Sequence, residues 1–451
     1  MHLFRGVFIY GLIAFSTAFT QITLSPQLIW YNQANSPLPS DQVYYVYPDK
    51  SGKYWFACGD FDTLSGGLVR FDGQEWYVFQ PDNSGLPVSN VTHVDQDARG
   101  DLWVATRGGG IARFDGNQWE VFHTGNSPLA SNDVWTLTID PDGSIWIGTW
   151  ADGLNRFDGQ NWQWFHPNNS PLGSAKINFI QIDSDGMKWI GSDYYGLQSF
   201  DGQTWKSHGQ GRLLPGIHTT IVDMVIDKEG VRWIAGVEGG VGGVIVRYQD
   251  TVWKEIESLS GSFDFMVSYK GMAIDTAGHP WMATRSGLIH FYSDTLWKRI
   301  TLDTLAGFPI ETFWSLSIDR LNNKWISIAY WDSTHLTFRG AGVLVYNEDG
   351  VLLTGLSRQE PVPPKTVQLK PAYPNPFNAT TTITVQFNRQ QLVQLAVYNI
   401  RCQRVRLLYQ GVLKTGTYRF LLDGKNLASG VYLVTLKYAG NIQVQKVVLI
   451  K

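Results

Sequence analysis

Seven tryptophans recur along the chain, each after a turn of the Asp-x-x-Gly type and at the start of a short apolar run. They are Trp55, Trp103, Trp146, Trp189, Trp233, Trp281 and Trp325, with gaps of 48, 43, 43, 44, 48 and 44 residues. This period is too long for one hairpin and too short for a domain, so it indicates a unit of about four short strands that stacks on its neighbours. The repeat predicts an all-β fold, a seven-bladed β-propeller.

The third copy shows the four strands of one unit. Residues 132–140 alternate as a strand, 146–149 form the second, 153–157 the third and 161–165 the fourth. A second tryptophan series marks the fourth strand of six copies: Trp76, Trp119, Trp162, Trp205, Trp253 and Trp297. The seventh copy has no such tryptophan, whereas Trp30 stands alone near the N-terminus. We therefore predict that residues 28–32 supply the outer strand of the last blade and close the ring, which would otherwise expose an unpaired edge.

Apolar runs and prolines divide the 451 residues into four parts. An apolar run at 7–20 follows Arg5 and is too short to span a membrane, so we expect residues 1–20 to be a secretory signal peptide. Residues 24–356 form the predicted propeller, 357–366 a proline-rich linker and 367–451 a small β-sandwich with alternating strand patterns. No later segment is apolar enough to cross a membrane, so the mature chain is expected outside the cytoplasm without a transmembrane helix.

Charge separates the body from the tail. Residues 365–451 carry 12 Lys and Arg against one acid, a net +11, which leaves 24 basic and 38 acidic residues, or −14, for the rest. The basic tail suits anionic surface groups, and the acidic body excludes nucleic acid as a partner. The two cysteines, Cys58 and Cys402, fall in different predicted domains, so we expect no disulfide.

The tail resembles a known family. Its segments are Tyr-Pro-Asn-Pro-Phe-Asn at 373–378, Val-Tyr-Asn-Ile at 397–400, Leu-Ala-Ser-Gly-Val-Tyr at 427–432 and Gln-Lys-Val-Val-Leu-Ile-Lys at 445–451. Together they resemble the C-terminal sorting domain of the type IX secretion system. Cys402 departs from the glycine that is usual there. The resemblance implies export through the periplasm and across the outer membrane by that machinery, followed by release or by attachment to an anionic lipopolysaccharide.

The repeats resemble a second family. Trp-Ile-Gly-Thr at 146–149, Gly-Leu-Asn-Arg-Phe-Asp-Gly at 153–159, Trp162 and Asn-Ser-Pro-Leu at 169–172 are similar to the two-component regulator propeller repeat. That family is known from the sensor regions of hybrid histidine kinases, which recognise polysaccharide fragments. With one ring and no kinase in this chain, the resemblance implies ligand recognition rather than signalling.

Loop lengths predict where a ligand binds. In a propeller, the loops that join second to third strands and the connections between blades share one face, here called the loop face. The opposite face is called the turn face. The segment from the inner tryptophan to the hairpin after the third strand is 12 residues long in blades two to four. It is 17 residues long in blade one, 16 in blade five and 22 in blade seven. Most insertions therefore fall on the loop face, and blades seven and one are neighbours across the closure.

Aromatic residues beside carboxylates and arginine on these loops suit sugars, which stack on rings and hydrogen-bond to charged groups. Trp331 is the first candidate for a stacking platform. The candidate ligand-binding residues are Asp60, Phe61, Asp62, Arg107, Trp150, Asp152, Tyr194, Tyr195, Glu238, Arg285, Tyr330, Trp331, Asp332 and His335.

Motifs for other chemistry are missing. The sequence contains no nucleophile elbow, no His-Glu-x-x-His and no phosphate-binding glycine loop, so we predict no catalytic residue, metal or cofactor. Acidic segments at 95–100 and 183–186 are similar to calcium loops, but they occupy the recurring turn between first and second strands, where turn chemistry explains them.

The sequence thus favours a non-catalytic recognition protein, secreted or surface-attached, that binds a glycan or a surface partner. Two alternatives stay open. A polysaccharide lyase or hydrolase would need paired carboxylates, or a base with an arginine, and Asp60, Asp62, Asp332, His335 and Arg285 offer such groups. A structural attachment component of the secretion machinery is the other.

Overall fold

A computed structural model gives the fold for residues 22–25, 27–60, 65–208, 219–238, 242–249, 251–256, 267–285, 287–293, 295–302, 312–332, 337–353, 367–370, 372, 374–387, 391–399, 403–413, 416–438 and 441–451. These residues contain strands and turns and no helix. The chain divides into two compact units, Met1–Gly355 and Leu356–Lys451. The predicted signal peptide and linker lie outside the described residues, and both stay predictions.

The first unit consists of seven antiparallel sheets, the blades, numbered in chain order. Blades one to three contain Val43–Pro48, Tyr54–Gly59, Gly66–Phe71 and Trp76–Phe79; Val91–Gln96, Leu102–Thr106, Gly110–Phe114 and Trp119–Phe122; and Val134–Ile139, Ile145–Thr149, Leu154–Phe157 and Trp162–Phe165. Blades four to six contain Ile177–Ile182, Lys188–Ser192, Gly196–Phe200 and Trp205–His208; Thr219–Ile226, Arg232–Glu238, Gly242–Gln249 and Val252–Glu255; and Val267–Ile274, Pro280–Thr284, Gly287–Phe291 and Trp297–Ile300. Blade seven contains Thr312–Ile318, Lys324–Asp332, Thr337–Tyr346, Leu28–Tyr31 and Ile22–Ser25.

The first strand of each blade is the innermost. First strands of successive blades contact one another around the whole ring, including those of blades seven and one. Six of them line a central cavity of about 260 Å³. The sheets therefore form a closed seven-bladed β-propeller, as the tryptophan repeat predicts.

The N-terminal segment completes blade seven. Leu28–Tyr31 pairs antiparallel with Thr337–Tyr346, and Ile22–Ser25 adds a fifth strand outside it. The predicted closure by residues 28–32 is confirmed. Because the last blade takes its outer strands from the opposite end of the unit, hydrogen bonds hold the ring closed.

One detail of the closure differs from the sequence prediction. Leu28 lies opposite Tyr346, the position that an outer tryptophan holds in the other blades, as Trp76 does in blade one. Trp30 lies two residues further along the strand. Counted from Leu28, the distance to Trp55 is 27 residues, the spacing of the first three blade junctions. Trp30 thus predicts the correct strand, but Leu28 occupies the position equivalent to the outer tryptophans.

Each of the seven inner tryptophans donates its indole N–H to the aspartate six residues earlier. The Nε1–Oδ2 distances run from 2.9 to 3.5 Å in the pairs Trp55–Asp49, Trp103–Asp97, Trp146–Asp140, Trp189–Asp183, Trp233–Asp227, Trp281–Asp275 and Trp325–Asp319. The tryptophans are at most 4% exposed, so the indole N–H needs an acceptor inside the protein. The bond fastens the second strand of every blade to the turn that precedes it.

In six of the seven blades, the other carboxylate oxygen of this aspartate holds the turn itself. Asp227 Oδ1 accepts the backbone N–H of Glu229 at 3.0 Å and that of Val231 at 2.9 Å. Asp183 Oδ1 does the same with Asp185 at 3.1 Å and Met187 at 3.0 Å. The acidic turns are therefore Asx-type turns with their oxygens in use, which confirms turn chemistry as the explanation of this pattern.

Aromatic packing joins one blade to the next. Trp55 and Phe79 of blade one share a buried cluster with Phe114 of blade two, and Phe79 lies 5.6 Å from Phe114 between ring centroids. On the outside, Phe114 stacks on Trp119 at 4.6 Å. A single blade would leave these rings in water, so the blades gain their stability as a stack.

The second unit has two sheets in a sandwich-like arrangement around one core. The sheets contain Gln368–Leu369, Thr380–Phe387 and Gly416–Asp423; and Arg404–Leu413, Gln391–Asn399, Gly430–Tyr438 and Asn441–Leu449. Phe377 is 2% exposed in the core. Asn375 donates to Lys446 O at 3.1 Å and accepts from Val448 N at 2.8 Å. Residues 374–378 are thus held to the last strand through Asn375 and contribute Phe377 to the core.

The closure makes a testable prediction for Leu28, which is fully buried in a core shared by blades six and seven. We expect Leu28→Ala to lower the free energy of unfolding by about 2–5 kcal/mol, because a buried leucine leaves a cavity. Urea denaturation followed by tryptophan fluorescence measures it. Val252→Ala is the control, since Val252 is 65% exposed in the outer strand of blade five. Equal stability of Leu28→Ala and wild type would contradict the closure.

A second prediction concerns the aspartate turns. Asp227→Ala removes the acceptor of the Trp233 indole and of two backbone N–H groups, so we expect a loss of about 2–3 kcal/mol. Glu229→Ala in the same turn changes an exposed side chain and should alter stability by less than about 0.5 kcal/mol. If both variants unfold at the same urea concentration, the hydrogen bonds do not hold the blade.

Candidate functional site

A β-bulge recurs near the loop-face end of the first strands. Pairing with the second strand skips one residue in six blades: Tyr44, Thr92, Trp135, Asn178, Val222 and Trp314. In blade six the irregular stretch between Val267 and Met272 contains Lys270. A bulge turns its side chain in a new direction. Residues far apart in sequence therefore come together at the loop-face end of the central cavity, here called the channel mouth.

Three of the bulge residues and one loop residue form a continuous aromatic row: Trp314, Tyr44, Trp135 and Trp150. Trp314 stacks on Tyr44 with ring centroids 5.9 Å apart and planes 15° apart. Tyr44 meets Trp135 at 5.9 Å, and Trp135 meets Trp150 at 5.2 Å, both edge to face. The row runs from the channel mouth to the loop between the second and third strands of blade three.

Ion pairs flank the outer end of the aromatic row. Lys176 Nζ lies 4.2 Å from the centroid of the Trp150 ring and 2.5 Å from Asp193 Oδ2. Arg107 Cζ lies 5.5 Å from the same ring, and its Nε is 3.4 Å from Asp133 Oδ1. Burial raises the pKa of Asp133, with Arg107 acting against it. Cations and carboxylates thus surround an indole, an arrangement that can offer both stacking and hydrogen bonds.

Tyr194 continues this surface in blade four. Its side chain is 72% exposed, and its backbone has φ 56°, a left-handed conformation that costs energy for a tyrosine. Its N–H donates to Thr220 Oγ1 at 3.3 Å, and Asp193 precedes it directly. An exposed aromatic ring is therefore held at the loop tip beside the Lys176–Asp193 pair. We call Trp135, Trp150, Lys176, Asp193 and Tyr194 the platform.

Several predicted residues come together at or near the platform. Arg107 and Trp150 are in contact, and the charge of Asp152 helps to raise the pKa of Asp133. Tyr195 packs over Gly173, leaving no room for a side chain there, so part of its role is structural. The other described candidates, Asp60, Arg285 and Tyr330, lie on blades one, six and seven. The loop-length argument put its emphasis on blades one and seven, whereas the platform lies in blades three and four, and the binding face stays a prediction.

Ligand binding by any of the candidates stays a prediction, and six of them have side chains outside the described part of the structure. Phe61, Asp62 and His335 lie outside the described residues. Glu238, Trp331 and Asp332 lie in described strands, but their side chains are outside the description. The blade-seven insertion lengthens a hairpin, in which Trp331 pairs with Phe338 and Asp332 with Thr337. The stacking role of Trp331 therefore stays a prediction.

Sequence reasoning missed the bulge residues. Comparison of the first strands would have found a signal, because Tyr44, Trp135 and Trp314 stand where other copies have the small polar residues Thr92 and Asn178. Loop lengths could not reveal it, since these positions belong to the regular part of the repeat. Cys58, singled out by its place in blade one, is a fully buried free thiol whose pKa is raised by burial.

Charged groups also lie within the central cavity. Burial lowers the pKa of Lys270 to about 7 and raises that of Asp223 to about 7, the kind of shift that catalytic groups show. Here both bind backbone. Lys270 Nζ donates to Thr92 O at 3.1 Å and Trp135 O at 3.2 Å, and Asp223 accepts Met272 N at 2.8 Å. These hydrogen bonds link the first strands of different blades. The inner edge of each first strand has no further strand to pair with, so its backbone groups need such partners.

Comparisons with known proteins identify both parts of the chain. The model of the secretion system C-terminal sorting domain matches residues 371–451, and that of the two component regulator propeller matches residues 128–151. Both resemblances seen in the sequence are confirmed. No curated protein matches the chain.

Solved structures share the fold. The extracellular domain of a protein described as a hybrid two-component system of B. thetaiotaomicron is 18% identical with a TM-score of 0.57, over 94% of this chain and 57% of that one. Another from the same organism, described as a one-component system, is 16% identical with a TM-score of 0.56, over 94% and 59%. PorZ, a surface component of the type IX secretion system of Porphyromonas gingivalis, is 17% identical with a TM-score of 0.45, over 94% and 68%. The chain spans less than two thirds of the first two proteins, and the likeness shows the fold alone.

The described residues include no helix long and apolar enough to span a membrane. The family matched over residues 371–451 is a sorting domain of a secretion system. The chain is thus a secreted or cell-surface β-propeller protein that combines two-component regulator propeller repeats with a C-terminal sorting domain of the type IX secretion system.

Proposed function

We propose that this protein is a non-catalytic recognition protein that binds a glycan on the loop face, at the platform. The observation that carries the proposal is Tyr194, an aromatic side chain that is 72% exposed and held in a strained backbone conformation beside an ion pair. Backbone strain of this kind is frequent at binding sites, and an exposed ring held in a fixed position offers a surface for stacking.

Sugar chemistry fits the platform. The C–H faces of a pyranose ring pack on the flat face of tyrosine or tryptophan, while its hydroxyls hydrogen-bond to charged side chains. Trp150 lies against Lys176, Tyr194 directly follows Asp193, and the Lys176–Asp193 pair can both donate and accept. An extended row of rings with polar groups along it suits a chain of several sugar units.

Binding fits the charges better than turnover does. A lyase or hydrolase needs a carboxylate or base that is free to exchange protons. On the platform, Asp193 is paired with Lys176 and also accepts Asn178 Nδ2 at 3.0 Å. Nearby Asp133 is paired with Arg107. Carboxylates engaged in this way position a ligand rather than transfer its protons.

The sorting domain supplies the route in this proposal. We infer that the type IX machinery recognises the C-terminal unit and carries the propeller from the periplasm across the outer membrane. Residues 365–451 have a net charge of +11, which favours contact with an anionic lipopolysaccharide once the protein is outside. The propeller face then meets glycans in the medium or on neighbouring cells.

The route is tested by removing residues 367–451 in a host that has the secretion system. Because the two units have separate cores, we expect the propeller to fold and to accumulate in the periplasm, while the full chain reaches the surface or the medium. Cell fractionation with immunoblotting measures both. Normal surface delivery of the shortened chain would refute this role of the tail.

The binding site is tested with a panel of neutral and uronate-containing oligosaccharides. For any oligosaccharide that binds the full chain, we expect Tyr194→Ala to cost about 1–2 kcal/mol, or roughly five- to thirtyfold in Kd, through lost stacking. Tyr292→Ala is a matched control, because Tyr292 is also exposed, at 46%, but follows a third strand on the turn face. Isothermal titration calorimetry gives the constants.

The same titration distinguishes the platform from the blade-seven hairpin. A loss with Trp331→Ala and none with Tyr194→Ala would move the glycan site to blade seven. A loss with Tyr292→Ala alone would move it to the turn face. Release of shortened or unsaturated sugars during the titration would show turnover and overturn the non-catalytic assignment.

A further inference from the structure

The turn face of blade six holds a group of three metal-ligating side chains that the platform does not use. Asp275 is the turn aspartate of this blade, His279 ends the same turn, and His290 lies in the third strand opposite Trp281. One ligand atom from each lies within 4.8 Å of the other two. The sequence contains no metal motif at these residues because His290 belongs to the third strand, whereas Asp275 and His279 belong to the turn before the second strand.

The distances suit a small cation. His290 Nε2 lies 3.3 Å and His279 Nδ1 3.8 Å from Asp275 Oδ2. In a tetrahedral zinc site with bonds of about 2.0–2.1 Å, ligand atoms lie roughly 3.3 Å apart. The Asp275–His290 edge already has this length. His279 has a side chain 34% exposed and is free to move the short distance that remains.

His290 supplies a second, independent observation. It is 9% exposed, and its Nε2 is a buried atom without a hydrogen-bond partner among the described residues. Its ring stacks on Trp281 at 4.1 Å with planes 18° apart, which fixes the direction of Nε2 toward Asp275. A buried, oriented and unsatisfied imidazole nitrogen is costly unless something binds it.

Other blades show what the position does without a metal. Opposite the inner tryptophan, blade two has Arg113, which bonds to Asp101 at 2.6 Å, and blade three has Arg156, which bonds to Asp142 at 3.0 Å. In blade six the arginine is replaced by His290, so the fixed positive charge is gone.

We propose that Asp275, His279 and His290 form a binding site for a divalent transition-metal cation, with Zn²⁺ as the ion that fits best. Two imidazoles and one carboxylate are a ligand set that zinc prefers, with a fourth position for water. Asp275 keeps its other oxygen on the N–H groups of Ala277 and His279, and Trp281 donates to Oδ2, which orients the carboxylate. The nearby ammonium of Lys324 is paired with Glu348 at 2.6 Å, so its repulsion of a cation is reduced.

An entry path exists. His279 lines a cavity of about 320 Å³ between blades five and six, together with Tyr292 and Lys228. A hydrated ion can reach His279 from this side and then meet the two buried ligands. Metal bound there would join the turn of blade six to its third strand and stabilise the folded blade.

The test uses the full chain without a histidine tag, stripped with EDTA and titrated with Zn²⁺ by calorimetry and with Co²⁺ by visible absorption. We expect one ion per chain and the absorption of four- or five-coordinate Co²⁺. His279→Ala, at a partly exposed position, should weaken Zn²⁺ binding at least about tenfold and abolish the Co²⁺ spectrum. His290→Phe keeps a ring on Trp281 and should act likewise. His166→Ala, at a partly exposed histidine of another blade, is the control and should bind as wild type does.

Thermal unfolding gives an independent measurement. Added Zn²⁺ should raise the Tm of wild type and of His166→Ala, and leave that of His279→Ala unchanged. Absence of stoichiometric binding to wild type overturns the proposal. So does binding by His279→Ala that is as tight as that of wild type, because the ion would then sit elsewhere.

Discussion

The hydrogen bond from each inner tryptophan to the aspartate six residues before it is the interaction on which the propeller depends. It places a large buried ring at a fixed height in each blade while satisfying the indole N–H. The same carboxylate holds the turn with its other oxygen. Because the neighbouring blade packs its own rings around this tryptophan, a local bond in each copy sets the geometry of the whole ring.

Because these structural hydrogen bonds lie on the turn face, residues on the loop face can differ from blade to blade and bind a ligand. The tryptophan–aspartate hydrogen bonds lie at the turn-face ends of the strands. At the loop-face ends, the residues in the bulges and the lengths of the loops vary from blade to blade. A bulge needs only one skipped residue to turn a side chain toward the channel mouth. Tyr44, Trp135 and Trp314 use the same bulge in three blades, so a repeated backbone feature produces an aromatic surface from non-repeated residues.

Blade six shows how a structural position can acquire another chemistry. An arginine that pairs with a carboxylate stabilises blades two and three. Exchange of that arginine for His290, with His279 at the end of the turn, keeps the ring stacking but replaces an ion pair by a set of metal ligands. The aspartate required for the fold then serves as a ligand as well. A metal there and a glycan on the loop face would occupy opposite faces of the propeller.

The sequence by itself determined the number of blades, the order of strands, the turn aspartates and the sorting tail, because each is a local pattern that the chain repeats or carries intact. It also indicated the strand that closes the ring, although the register fell on Leu28 rather than Trp30. Only the tertiary structure decided which residues meet. Trp135, Lys176 and Tyr194 belong to different blade segments, and nothing in their spacing places them together. Ring closure sets which blades face each other, and each bulge turns a side chain out of its own sheet. The contacts therefore arise between copies of the repeat, where a single copy carries no information.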